Sequence, residues 1–557
     1  MEFFKNQVVA CICDAVKLDT NIVSEMIETP PSYDLGDFAF PCFRLSNILH
    51  KAPNIIAEEL ARGISLPECI ERAENVSAYV NFYINKPMLT NYIINEISAK
   101  KDSYGSSMRG NGKSALVEHT SINPNASPHV GRARNALIGD FIVRLLRFEG
   151  YKVDVHYFVN DIGKQIAMLL LGAKQKKNIN FSDLLNIYVE INNRVKQNPK
   201  LEKQVFELLY KLENGNREII SGFRDIVNVC VEGQAKILGK LGIKYDSYDY
   251  ESLYIWNRTV DEVLQQLKRT GRLFEDEEGR YVLNLEEFNL PFLVVTRADK
   301  TSLYPLRDIA YTIDKVRTNS DKNIVVLGED QKLYFQQVKA AVKLLGYQAP
   351  EVVHYSFVLL TDGKMSTREG TVVLLEDLMN EAVLKAKAEI QRRHDTVNEA
   401  AAESIAYGAV KYSMFKASND KNVVFDWDSA LNFEGDSSPY IQYSYARISS
   451  ILRKYEGELP TQINAELLNS TVEYQLVKQL ADFTLAINRA VDQLSPHIIA
   501  NYVYNLTKQF SVFYHECPVL NAHSQDLIIA RLVLISCVRQ VIKNCLNIMG
   551  IKELEKM

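Results

Sequence analysis

The residues best suited to chemistry gather in two short turns. The first is SPHVGR, residues 127–132, set within SINPNASPHVGRARNALIGD (121–140). Pro, Asn and Ser crowd around His129, a bare Gly131 follows, and an apolar-periodic run begins at once. A helix starting there exposes unpaired N–H groups and the positive end of its dipole, which together attract anions. Gly131 carries no side chain, so a flat base or a phosphate can lie against its backbone. His129 adds a hydrogen-bond donor at the same mouth. The pattern describes a nucleotide site, although not a Gly-rich phosphate loop of the GxxxxGKS kind. Taken alone, His129 reads as readily as a helix-capping or structural histidine.

The second turn is DGKMSTREG, residues 362–370. Lys364, Ser366 and Arg368 on a Gly-flanked loop are suited to reach over a triphosphate and neutralise charge as pyrophosphate leaves. Alone, such a run is a solvated basic loop; as a partner to the first turn across one fold it completes a nucleotide site.

Both turns need elements to hold them. ALVEHTS reads as a short buried strand, and Leu137, Ile138, Phe141, Ile142, Leu145 and Leu146 form one helical stripe closed by Gly150. KVDVHYFV is the next strand, so the first turn lies inside a parallel βαβ unit, at the carboxyl edge of a sheet. The grammar returns with NIVVLG, a helix from Leu333 to Leu345 ended by Gly346, and the strand EVVHYSFVLL. The fold class is therefore α/β: a split, doubly wound (Rossmann-type) catalytic domain at 115–434 with a mostly helical insertion at about 165–285. Val205, Leu208, Leu209 and Leu212 make one stripe of that insertion. From about 435 to 557 strands disappear and an all-α bundle is expected, with Leu476, Leu480, Phe483 and Ile487 on one helix, a new helix at Ser495-Pro496, and a last one from about 526 to Gly550. SAKKDSYGSSMRGNGKS (98–114) reads as a linker. It sets off a small α+β N-terminal module, residues 1–97.

Composition narrows the class without naming it. With 557 residues, the chain exceeds what one core can organise. Its 47% hydrophobic and 24% charged residues are ordinary for a globular protein. No apolar run approaches the roughly 20 residues that span a bilayer, so no membrane is expected. Eight cysteines without CxxC or paired His/Cys spacing argue for reduced thiols in a cytoplasmic protein and against a disulfide frame, a zinc site or any protein-bound metal. A net charge of −5 neither indicates nor excludes nucleic acid, because binding depends on where basic residues cluster.

Taken together, NPNASPHVGR in the place of a HIGH signature and KMSTR in that of KMSKS resemble the class I aminoacyl-tRNA synthetases. YFVNDIGKQI, TSLYPLRDIAYT, SPYIQYSYARI and VIKNCLNIMGIKELEKM make the chain most similar to the arginyl family, over nearly its whole length. Two positions depart from the pattern. Arg132 replaces the second His of HIGH and keeps a cation with a planar donor fork. Thr367 replaces the second Lys of KMSKS, with Arg368 one residue on.

The resemblance implies an ATP-dependent, AMP-forming ligase that activates L-arginine and transfers it to tRNA(Arg), with Mg2+ arriving on the ATP. His129, Arg132, Lys364 and Arg368 would act in catalysis, and Pro128, Gly131, Met365 and Ser366 would join His129, Arg132 and Lys364 in holding ATP. Glu118 and Asp308 would accept from the guanidinium beside Tyr304, and Asn123 and Gln331 would hold the α-amino and carboxylate end, with His129 bordering that cavity. Tyr440, Tyr443 and Tyr514 would stack anticodon bases near Met557, and Asn81 of the N-terminal module would touch the tRNA elbow. A monomer is expected. Each has a plainer counterpart: Asp308 as a helix cap, Tyr304 as a core residue, the tyrosine row as bundle packing. Glu118 is harder to dismiss, because an acid in a buried strand is costly without a cationic partner. Two competitors are another class I synthetase such as the cysteinyl enzyme, which would carry zinc-ligand spacing, and a non-catalytic tRNA-binding paralogue, which would have no use for a guanidinium pocket.

Overall fold

The computed structural model describes residues 1–173, 179–360, 373–393 and 398–557. At the N-terminus, helix Glu2–Val16 packs with an antiparallel sheet of β1 (Phe38–Pro41), β2 (Ile70–Val76) and β3 (Tyr79–Ile84), ordered β1-β3-β2. Phe4, Val8, Phe40 and Phe82 fill its core. The 98–114 stretch is more than a tether. Tyr104 is buried, its hydroxyl donates to the Leu480 carbonyl at 2.9 Å, and Arg109 bonds Asp492 and Asn488 at 2.8 and 2.7 Å. An aromatic and a guanidinium thus strap the segment to the C-terminal bundle, despite its Gly/Ser content.

The central sheet is wholly parallel. Its strands are β4 (Ser114–Glu118), β5 (Lys152–Val159), β6 (Ser247–Tyr250), β10 (Lys322–Gly328) and β11 (Glu351–Tyr355), ordered β11-β10-β4-β5-β6. Between β6 and β10 a small antiparallel sheet forms from β7 (Leu273–Glu275), β8 (Tyr281–Leu283) and β9 (Leu293–Val294). Strand order reverses direction between β4 and β10, the switch point where such sheets bind ligands. Helix α1 (Val130–Phe148) makes the crossover from β4 to β5, with all six residues of its expected stripe buried. Gly150, at φ 89°, takes the left-handed turn that ends it.

The expected insertion is helical through α2 (Arg217–Lys240). The chain then returns to the central sheet as β6, whose Ser247 to Tyr250 pair with His156 to Val159, so the insertion is bounded by a strand of the core itself. Helix α3 (Tyr304–Arg317) follows before β10. EVVHYSFVLL divides into β11 and β12 (Val358–Leu360), and β12 leaves the sheet to pair with β13 (Val423–Phe425). The break is enforced at Ser356, whose carbonyl accepts from the buried Arg134 guanidinium at 2.6 Å and whose N–H donates to Asn419.

Beyond β13 all described elements are helical, including α4 (Ser438–Arg453) and α5 (His497–Glu516). Leu476 and Leu480 fall on helix Thr471–Ala481 and Phe483 and Ile487 on Phe483–Gln493, because the helix breaks at Asp482, a poor interior former. All four are buried as one stripe would require. No helix among the described residues is long and apolar enough to cross a membrane.

Candidate active site

Glu118 ends β4, pairing with His156 of β5 on one side and Val325 of β10 on the other. That register sets an acid at the carboxyl edge of three strands. Beyond His119, Thr120 and Ser121 have φ of 84° and 41°, a left-handed conformation costly for a β-branched side chain such as that of Thr120. Their surroundings hold them there. The Thr120 N–H donates to Asn135 Oδ1 at 2.5 Å, and its hydroxyl lies 2.6 Å from that of Tyr245. Asn135, from α1, also donates to the Val326 carbonyl at 2.8 Å, so one amide ties β4 to β10.

Helix α2 supports the signature turn from below. Gln234, fully buried, donates to the carbonyls of Asn123 and Ala126 at 3.1 and 2.9 Å. Its own oxygen accepts from the Tyr157 hydroxyl at 2.6 Å. On the other side the Leu375 N–H donates to the Pro128 carbonyl at 2.8 Å, and the Val130 N–H to that of Val373 at 3.1 Å. The chain that leaves at the end of β12 therefore returns beside His129. Lys364, Met365, Ser366 and Arg368 lie outside the described residues.

His129 occupies the N-cap position of α1 without making a side-chain cap. Burial, aided by the nearby Arg132 guanidinium, lowers it to about 4, so it is neutral at physiological pH. Its Nδ1 is buried without a partner among the described residues. It does not border the acidic cavity, whose residue from this turn is Arg132; the expected place of His129 in that cavity is corrected accordingly. Pro128 is buried and Gly131 partly so.

The cavity, about 280 Å³, opens at the switch point. Glu118 and Asp308 both line it, together with Asn123, Arg132, Tyr304 and Gln331. Asn123 is otherwise exposed, and Gln331 donates to Asp330 at 3.2 Å. Helix α3 supplies one wall: Tyr304, Asp308, Tyr311, Thr312 and Lys315 fall at i, i+4, i+7, i+8 and i+11, one face of a helix. Asp308 lies a full turn inside α3, whose N-cap is Leu303, so the capping alternative does not hold. Tyr304 is half exposed and packs against Tyr334, ring centroids 5.0 Å apart.

The electrostatics differ from acid to acid. Glu118 is bonded by the Lys315 ammonium, both nearly closed to solvent. Asp308 accepts from the Tyr334 hydroxyl. Enclosure in the protein pushes Asp308 up to about 6, with the Tyr334 bond and Arg307 pulling the other way. A third acid, Glu251, pairs with Arg307, and the Asn160 amide, turned to present its nitrogen, donates to it at 2.9 Å. Burial raises Glu251 to about 7. Lys315, Tyr311 and Thr312 escape a motif reading, yet the helical period counted from Asp308 points to them. Glu251 and Asn135 leave no comparable signal.

In the bundle, Arg447 stacks its guanidinium over Tyr443 and Tyr514, 4.7 and 4.9 Å from the ring centroids. Tyr440 contacts Tyr504 instead, and Met557 is half-buried. Asn81 is 3% exposed on β3, its oxygen unpartnered among the described residues, so it is not the open contact the sequence suggests. The reason is the pairing of β3 on both edges, with Ala39 and Glu74 opposite Asn81.

A parallel switch-point sheet with a signature turn on its first crossover helix and an amino-acid-sized acidic cavity beside it defines a class I synthetase domain. Matching this, the family model described as tRNA synthetases class I (R), catalytic domain, covers residues 93–427. The Arginyl tRNA synthetase N terminal domain covers 2–84 and the DALR anticodon binding domain 441–557. An arginine–tRNA ligase of Methanococcus aeolicus is 37% identical across 94% of this chain and 95% of its own. That of Clostridium perfringens is 37% identical across the full length of both. The solved Thermus thermophilus arginyl-tRNA synthetase superposes with a TM-score of 0.82, at 27% identity and 99% coverage of each chain. The chain belongs to the arginine–tRNA ligase family.

Proposed function

We propose that the chain activates L-arginine with ATP and transfers it to the 3′ end of tRNA(Arg), releasing AMP and pyrophosphate. The observation that carries this is the convergence of Glu118 and Asp308 on one cavity, where Asp308 has no Lys or Arg in ion-pair range among the described residues. A guanidinium is a planar, permanently charged fork that answers such an acid. Lysine or citrulline would leave buried acceptors unpaired. At about 280 Å³ the cavity suits an amino acid and leaves the nucleotide at its mouth.

In the first step the arginine carboxylate attacks the α-phosphorus of ATP. Asn123 and Gln331 hold the α-amino and carboxylate end, and Tyr304 closes over the side chain. Pro128 and Gly131 give ATP a flat wall, and neutral His129 donates from a buried ring. Arg132 puts its fork on phosphate oxygens; Lys364 and Arg368, with Met365 and Ser366, complete the charge neutralisation. Mg2+ enters with ATP as part of the substrate. In the second step the terminal ribose hydroxyl takes the arginyl group, and no side-chain nucleophile is needed. Tyr443 and Tyr514, with Tyr440 and Met557 nearby, receive anticodon bases. Binding of tRNA precedes adenylate formation, and the enzyme works as a cytoplasmic monomer.

The test is ATP–pyrophosphate exchange with and without tRNA across the amino acids, followed by charging with labelled arginine. Exchange should need both arginine and tRNA. Exchange driven by a different amino acid, or tRNA binding with no charging at all, would sink the assignment.

A further inference from the structure

Around the cavity, buried charges come in pairs, with one exception. Glu118 and Glu251, 5% and 1% exposed, are bonded by Lys315 and Arg307, 3% and 5% exposed. The Lys315 ammonium also lies 4.4 Å from the centroid of the Tyr311 ring, a second electrostatic hold on the same cation. Asp308 has the Tyr334 hydroxyl instead of a cation. Arg132, half-buried on the first turn of α1, forms no ion pair with any of these acids among the described residues. Of these three carboxylates, Asp308 alone is left without a bonded cation among the described residues.

We infer that Lys315 is a resident counter-ion that balances the arginine pocket: it keeps Glu118 neutralised, so that Asp308 alone presents the charge a substrate guanidinium answers. This rests on the arginine reading above and refines it. Glu118 still serves as an acceptor through oxygen lone pairs that Lys315 does not use. For the guanidinium to take Glu118 as its main partner, a buried ammonium would have to be expelled into an enclosure where, among the described residues, no other carboxylate is bonded to it. Lys315 is a positioning residue, and its role is carried by charge.

Charge rescue tests it. Glu118→Gln leaves the Lys315 ammonium uncompensated beside the arginine side chain, so the arginine KM in tRNA charging should rise about 30-fold or more, as for removal of one partner of a buried charged pair. Adding Lys315→Met restores the balance and should bring the arginine KM back to within about fivefold of wild type, with kcat and the ATP KM changing far less. A double variant no better than Glu118→Gln, or a Glu118→Gln enzyme with the wild-type arginine KM, would overturn the inference. Should Glu118→Gln fail to fold, the double variant, which buries neither charge, decides alone by the same fivefold criterion. The wild-type enzyme is assayed first for arginine dependence, so failure of the functional reading shows before any variant is made.

Discussion

Asp308→Asn should damage arginine binding while making the empty protein more stable. The amide keeps the shape of the side chain and can still accept from the Tyr334 hydroxyl, so what it removes is charge. Losing one partner of a buried, charge-assisted pair costs about 2–5 kcal/mol. Asp308 retains some exposure to the cavity, so the lower half of that range, about 3 kcal/mol, is appropriate, or roughly 150-fold in arginine KM. The opposite sign holds for folding. Unfolded, the carboxyl titrates near its ordinary value of about 3.9, whereas in the fold it stands at about 6, so the folded state binds the extra proton between those limits. Stability is therefore lost as pH rises through that window, and above it the ionised Asp308 costs about 1–2 kcal/mol after allowance for its contact with solvent. Asparagine removes that cost. At pH 7.5, Asp308→Asn should raise Tm without arginine and raise arginine KM about 150-fold in tRNA-dependent exchange, at an unchanged ATP KM. A fall in Tm, or an arginine KM within fivefold of wild type, would refute the reasoning.

Two further outcomes follow from the same geometry. Because Asp308 must be ionised to pair with the guanidinium, and the acids Glu118 and Glu251 with the cations Lys315, Arg307 and Arg132 set its field, arginine KM should fall about tenfold per pH unit below 6 and level off above 7. An arginine KM flat from pH 5.5 to 8 would contradict this. Gln234→Leu leaves the carbonyl of Asn123 without its side-chain donor, at about 1–3 kcal/mol, and that of Ala126 with only the weak Cys230 thiol, and should lower kcat more than tenfold through the loosened signature turn. A Gln234→Leu enzyme with lower Tm and unaltered kcat would show that α2 is mere support.

How much of this was legible in the sequence depends on the range over which the forces act. NIVVLG read correctly as a strand because a buried parallel strand is apolar along its run, and KVDVHYFV because its apolar residues alternate with polar ones, as its burial does. The stripe from Leu137 to Leu146 read as a helix from its period alone, although the structure buries every residue from Ala133 to Val143, polar Arg134, Asn135 and Asp140 included. Asp308 and Glu118 were legible as acids with a purpose. Their counter-ions were not, because Lys315 lies 197 residues from Glu118 and Arg307 56 from Glu251, and no local pattern encodes such a pairing. Asn81 misled for the same reason: its burial is decided by what pairs on either side of β3, not by its neighbours in sequence.

Several local rules are broken near the switch point. Thr120 and Ser121 hold a backbone conformation that their side chains disfavour, and among the described residues His129 buries a ring nitrogen without a partner and Asp308 lacks a cation in ion-pair range. Any one of them is a modest cost, roughly 1–3 kcal/mol, that an ordinary core would have been selected to remove. Thr120 and Ser121 follow β4, His129 stands at the start of α1, and Asp308 faces the switch-point cavity from within α3; under the proposed function a guanidinium would answer Asp308 and an acceptor oxygen His129. Positive-φ residues and unpartnered buried atoms occur elsewhere too, Arg258 and Asn81 among them, so it is the meeting of Ser121 and Asp308 on one cavity, more than the breaks themselves, that argues for a built site.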